Sequence, residues 1–139
     1  MQLITDRTEA DVLLGNAKGQ YSYEDLNRVE QAVAELCSLA KQLDIHPDLT
    51  TKIDWGSPGA FSADSWPTES QLKRYLQNVN TLCDCFALQV DLPATMENLN
   101  FQGANSIEES LEKAYQHIQS VLQAYKYSGD FYAGEEFAL

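Results

Sequence analysis

Cysteine and histidine are the side chains best suited to metal binding or nucleophilic chemistry, and this chain has Cys37, Cys83, Cys85, His46 and His117. Cys83 and Cys85 stand two apart in a stretch of helical period, which turns them to nearly opposite faces, so they do not chelate one ion. Cys83 falls on the apolar seam of that stretch and is expected in the core, with Cys85 semi-exposed. Cys37 follows Leu36 inside a helix, not on the sharp turn that a nucleophile needs, and the two histidines belong to no His-Glu-x-x-His pattern. No Gly-x-Ser-x-Gly occurs, and the seven glycines are scattered instead of opening a helix as a phosphate loop. Carboxylate pairs carry no signal either, because 21 acidic residues supply a pair at any chosen separation. The expectation is a non-enzymatic protein with no catalytic residue, no metal and no cofactor.

Aromatic residues are the better lead. Trp55 and Trp66 sit in a long connection, where they either anchor the loop onto the core or are offered to a partner. Tyr115, Tyr125, Tyr127, Phe131, Tyr132 and Phe137 crowd the C-terminal quarter. Tyr125 and Phe131 are expected to cover the end of a bundle, and Tyr127, Tyr132 and Phe137 to be exposed to a partner. The candidate interface is therefore Trp55, Trp66, Tyr127, Tyr132 and Phe137.

The net charge of -12 disfavours direct contact with phosphate backbones and anionic membranes. The carboxylates run from Asp6 to Glu136 without forming a block, as on a solvated surface. A sharper alternative is an acidic mimic of nucleic acid that inhibits a host DNA- or RNA-binding enzyme, which would need carboxylates aligned on one face. No stretch approaches the roughly eighteen apolar residues of a membrane helix. The first residues show no secretory pattern, and an odd number of cysteines on helical segments fits a reducing cytoplasm.

The elements that must position these residues read as helices. Thr8 and Asp11 resemble a weakened capping box for a short first helix, carrying Val12, Leu13 and Leu14 and ended by Gly19. Ser22 caps a long helix whose apolar residues Leu26, Val29, Val33, Leu36, Ala40 and Leu43 step by 3, 4, 3, 4 and 3. His46-Pro47 ends it, and a long loop over 44–67 follows. Thr68 and Gln71 form a capping box for a second long helix with its seam through Leu72, Leu76, Val79, Cys83 and Phe86. A third runs from about Gly103 to Tyr125 through Ala104, Ile107, Leu111, Ala114 and Ile118, with Glu108, Glu109, Glu112 and Lys113 on its outer face. Gly129 is placed to cap it, leaving an aromatic and acidic tail over 128–139. Each seam covers only about three heptads, which is marginal for a freestanding coil. The reading is an all-α single domain over 1–139: a three-helix bundle with a short additional N-terminal helix and a long loop between the first two long helices.

Several short motifs in a fixed order carry a resemblance that spans nearly the whole chain from Asp6. They are Tyr23-Glu24-Asp25-Leu26-Asn27-Arg28-Val29-Glu30, Lys52-Ile53-Asp54-Trp55, Trp66-Pro67-Thr68, Leu92-Pro93-Ala94-Thr95-Met96-Glu97-Asn98-Leu99, Ala104-Asn105-Ser106-Ile107-Glu108 and Tyr127-Ser128-Gly129-Asp130-Phe131-Tyr132-Ala133-Gly134-Glu135. Together they look like a family of small phage and prophage proteins of Gram-positive gut bacteria, often encoded near tail and receptor-binding genes. The loop between Trp55 and Trp66 departs from the family pattern in being longer. The resemblance implies a virion structural or adaptor protein of the tail, baseplate or fibre region, and it brings no catalytic residues. It also implies other virion proteins or copies of the chain itself as partners, and a passage from the host bacterial cytoplasm into the virion.

Overall fold

The computed structural model describes residues 2–16, 18–51, 55 and 67–134, with residues 126–134 described by their backbone. Among the described residues all regular structure is helical: α1 (Glu9–Leu14), α2 (Tyr23–Lys41), α3 (Glu69–Cys85) and α4 (Phe101–Gly134). The expected all-α bundle with a short leading helix is the observed one.

Each of the first three helices starts on a complete capping box. The Thr8, Ser22 and Thr68 side chains accept from backbone N–H groups of their first turns, while Asp11, Asp25 and Gln71 accept from the cap residues' own N–H. Asn100 performs the first half of this for α4, its Oδ1 accepting from the Gly103 N–H at 2.7 Å. Two ends differ from the sequence expectation. Gly15, not Gly19, closes α1, because it takes the left-handed conformation at φ 64°. Gly129 does not close α4, whose helical backbone continues to Gly134, so no hairpin or free tail begins at 128. A mid-helix glycine costs only about 1 kcal/mol, and no proline follows to enforce a stop.

The three seams meet in one core. Leu26, Val29, Val33, Leu36 and Ala40 of α2, Leu76, Val79 and Cys83 of α3, and Ala104, Ile107, Leu111, Ala114 and Ile118 of α4 are all buried. Tyr75 and Leu82, which flank the α3 seam, are buried with them. Each fully buried aliphatic side chain contributes roughly 1.5–3 kcal/mol, so the seams dominate the fold's stability. Tyr125 is the exception at 64% exposed: it lies beyond the last packed turn of α4 and does not cover the bundle.

The seams do not reveal direction, and the contacts do. Glu30 of α2 pairs with Arg74 of α3, and further along Cys37 lies near Cys85. Glu108 of α4 lies near Tyr75, and further along His117 meets the Phe86 ring with centroids 5.6 Å apart. The three long helices therefore run parallel. At about 1.5 Å per residue, the 17-residue α3 is roughly 25 Å long, so each link must travel the length of a helix back to its starting end. That is why both links are long. In the second return Leu88, Val90, Leu92, Met96 and Leu99 pack on the core as they pass along it. The first is held to α3 where the Thr50 carbonyl accepts from Arg74 at 2.6 Å and Asn78 at 2.8 Å.

Candidate functional site

Parallel helices bring three N-termini to one end of the bundle, and the residues there build a buried charge cluster. Arg7 arrives on the segment before α1, Asp25 and Arg28 from the first turns of α2, and Glu108 from α4. Arg7 Nη2 donates to Asp25 Oδ1 at 3.0 Å and to Glu108 Oε2 at 2.5 Å. Arg28 donates through Nη2 to Asp25 at 2.5 Å and through Nε to Glu108 at 2.6 Å. Two guanidiniums face two carboxylates, so the formal charge of the cluster cancels. Arg7 and Asp25 are 4% exposed and Glu108 is 0% exposed, so burial of these charges is compensated by their pairing with one another. Burial opposes the charge on Arg28, but the hydrogen bonds it donates to Glu108 and Asp25 outweigh it and raise its pKa further above the usual arginine range.

This corrects the placement of Glu108, which sequence periodicity put on the outer face of α4 beside Glu109. It lies one residue from Ile107 and three from Leu111, on the flank of the seam, where only a paired carboxylate is stable. Asp25, in the first turn of α2, completes the cap of that helix and binds both arginines.

Around the cluster further polar contacts tie down the N-terminal segment. The Ile4 N–H donates to Glu108, the Arg7 N–H to Asn105, and Asn105 Nδ2 returns a bond to the Arg7 carbonyl at 3.0 Å. The Arg7 guanidinium lies 5.6 Å from the centroid of the Tyr21 ring, and the Tyr21 and Tyr75 hydroxyls share a short hydrogen bond. Burial pushes both phenols above the ordinary tyrosine range, with neighbouring carboxylates adding to the shift. The cluster consumes its own charges internally, and its chemistry is that of a structural clamp.

The clamp holds up a helix that buries nothing. No residue of α1 is buried, and Val12, Leu13 and Leu14 are 46%, 80% and 78% exposed. Polar contacts grip α1 at both ends. Arg7 immediately precedes its cap. Behind it, the Asn16 side chain bridges the Asp11 carboxylate and the Gly19 N–H, and Lys18 pairs with Asp6. Gly19 packs so closely under the helix that a Cβ there would lie 2.2 Å from the Asp11 carbonyl oxygen. The same Asn16 hydrogen bond, followed by the Thr8 contacts, lowers the Asp11 pKa below the usual carboxylate value.

A concave apolar feature lies elsewhere. One side of α3 and the second return enclose a groove of roughly 840 Å³, lined by Leu72, Leu76, Val90, Leu92 and Met96 and by the charged Glu69, Lys73 and Glu97.

The candidate interface residues fare differently. Trp55 is 4% exposed, with its backbone N–H donating to Asn27 Oδ1 at 2.6 Å and its ring edge-on to that of Tyr75, centroids 6.3 Å apart. It anchors the return loop and is not a surface for a partner. Trp66 and Phe137 lie outside the described residues. Tyr127 and Tyr132 fall on the helical backbone of α4, with side chains outside the described set. Sequence reasoning passed over Arg7 and the exposure of Val12-Leu13-Leu14. Three consecutive apolar residues on a helix too short to bury them were the available signal.

Cys83 is buried and Cys85 exposed, as their positions on the helix required. Burial, with a smaller effect from Asp84, pushes the Cys83 thiol up to about 11. Among the described residues no group of three or more His, Cys, Asp or Glu is placed to hold a metal ion, and no helix is long and apolar enough to cross a membrane. In comparisons with known proteins, no family model, curated protein or solved structure matches the chain.

Proposed function

We propose that this protein is a non-enzymatic structural or adaptor component of a bacteriophage virion, in its tail, baseplate or fibre region, and that it acts through protein–protein contacts. The observation that carries the reading is α1: a helix without a buried residue, clamped at both ends, that displays Val12, Leu13 and Leu14 to solvent. Holding an apolar helix rigid and outward lowers the ordering cost of docking it. The motif order described above supplies the phage context. Under this reading the protein is made in the host bacterial cytoplasm, kept soluble by its charge, and incorporated alongside other virion proteins or copies of itself, without direct contact to nucleic acid or membrane.

An acidic mimic of nucleic acid would use carboxylates gathered on one face. The exposed ones, among them Asp6, Glu35, Asp84, Asp91 and Glu109, come from the N-terminal segment, α2, α3, the second return and α4, with no acidic block along the chain to mark one face. Mass spectrometry of purified intact virions tests the proposal. The protein is expected there at stoichiometric copy number, and its absence from virions that package normally would end the reading.

A further inference from the structure

We infer that Cys37 of α2 and Cys85 of α3 are an oxidation site: in an oxidising medium their thiols close into a disulfide that joins the two helices near their C-terminal ends. The third cysteine takes no part, because the Cys83 Sγ is buried and donates to the Ser110 carbonyl of α4 at 3.8 Å.

Helix register brings the pair together. Glu30 and Arg74 mark one point of contact between α2 and α3, at 2.9 Å. Cys37 follows Glu30 by seven residues and Cys85 follows Arg74 by eleven, close to whole numbers of turns, so both thiols stand on the flanks that face one another. The two intervals differ by four residues, or about 6 Å of rise, a length within reach of the Arg74 side chain. Helix axes pack about 8–10 Å apart with Cα atoms about 2.3 Å off each axis, which leaves facing Cα atoms roughly 4–6 Å apart. That lies inside the limit of about 7 Å for a disulfide. Cys85 is also the last residue of α3, at a helix end where small backbone shifts cost little. The electrostatics agree with this placement. Burial and then the charge of Cys85 push the Cys37 thiol up, with Lys41 opposing.

Cys85 is exposed and Cys37 half-buried, which sets the order of events. With a low-molecular-weight disulfide such as oxidised glutathione, the Cys85 thiolate attacks one sulfur and one glutathione thiolate leaves. Capping Cys85 removes its charge from beside Cys37, which eases ionisation of the second thiol. The Cys37 thiolate then attacks the Cys85 Sγ, the mixed disulfide breaks, and the second glutathione thiolate leaves. Two protein thiols are oxidised, one glutathione disulfide is reduced, and the two thiol protons end on the departing glutathiones. The new bond closes a loop over 37–85 that contains the first return, so it removes entropy that the unfolded chain would otherwise keep. The site stands apart from the virion reading. Under that reading the thiols stay reduced in the host cytoplasm and close once the particle is released.

Thiol counting and peptide mapping of the full-length protein, after exposure to oxidised glutathione in native buffer, test this. The wild type is expected to lose two of its three free thiols and to yield, from a monomer, peptides linked through Cys37 and Cys85. Cys37→Ser should stop at a glutathione adduct on Cys85, and Cys85→Ser should stay reduced at Cys37 over the same time, with circular dichroism confirming the helices of both. In the wild type, ring closure from the adduct should slow at least about tenfold in urea, where a long chain segment alone joins the thiols. Thermal denaturation should show the oxidised protein melting about 5–15 °C higher than the reduced one. The inference is overturned by a wild type that stops at the adduct, by bonds that involve Cys83 or join two chains, by closure as fast in urea as in native buffer, or by an oxidised form that melts no higher.

Discussion

The two ends of the packed region are held by different forces. Where the helices start, Arg7, Asp25, Arg28 and Glu108 form a closed set of ion pairs. Further along, Leu36, Leu82, Leu111 and Ile118 belong to one buried apolar cluster. The apolar region is tolerant in kind, since neighbouring side chains relax around a change of volume. The charged end is not, because each member is there to neutralise the others and the loss of one leaves charges stranded. The charged end fixes where the N-terminal segment lies, and the apolar region supplies most of the free energy.

The sharpest way to break that contrast is Glu108→Ala, which leaves two guanidiniums sharing the single carboxylate of Asp25. It is expected to cost about 3–5 kcal/mol in urea denaturation, the range for removing one partner of a buried pair. A loss below about 1 kcal/mol would mean that water already reaches the cluster. In the apolar region, Leu111→Ala is expected to cost about 2–5 kcal/mol through lost transfer energy and the cavity it leaves. The double change Arg7→Met with Glu108→Leu sharpens the comparison, since it removes one charge of each sign and leaves Arg28 with Asp25. Its cost is expected to fall well below that of Glu108→Ala, giving a favourable coupling of about 1–3 kcal/mol in a double-mutant cycle.

Alkali acts at both ends. Cys83, Tyr21 and Tyr75 keep their protons to higher pH in the folded chain than ordinary thiols and phenols do. The unfolded chain ionises first, so stability falls as pH rises from about 8.5 for the thiol and about 10 for the phenols. The slope is at most about 1.4 kcal/mol per pH unit for each group. Denaturation midpoints between pH 8 and 11 measure it, and a Cys83→Ala variant should flatten the lower part. The smallest effect is expected from Thr8→Ala, about 1 kcal/mol confined to α1. It should appear as faster amide exchange in residues 9–14 with an unchanged global denaturation midpoint.

The apolar region was legible because burial follows helical period: the seams from Leu26 to Ala40 and from Ala104 to Ile118 needed no partner to be recognised. The charged end was not. Glu108 pairs with residues 101 and 80 positions away, and nothing local distinguishes its carboxylate from the exposed one of Glu109. Helix direction was hidden too, because a seam reads the same for parallel and antiparallel neighbours. The length of the first link is visible in the sequence, but its cause, a parallel return, is not. Trp55 follows from the same point: it is the residue that fastens this return against Asn27 and Tyr75. The exposed face of α1 was missed because its N-cap was legible from sequence while its lack of a packing surface was not.

The parallel arrangement also governs how fast the chain acquires its structure. No two of the long helices form a hairpin, so no pair can dock before a long return has closed, and every helix contact is distant in sequence. Bundles with short turns fold in microseconds to milliseconds because their contacts are local. This one must lose loop-closure entropy twice before its seams meet. It should fold more slowly than an antiparallel bundle of equal length and stability, and a nascent chain would remain unpacked until α4 had been synthesised.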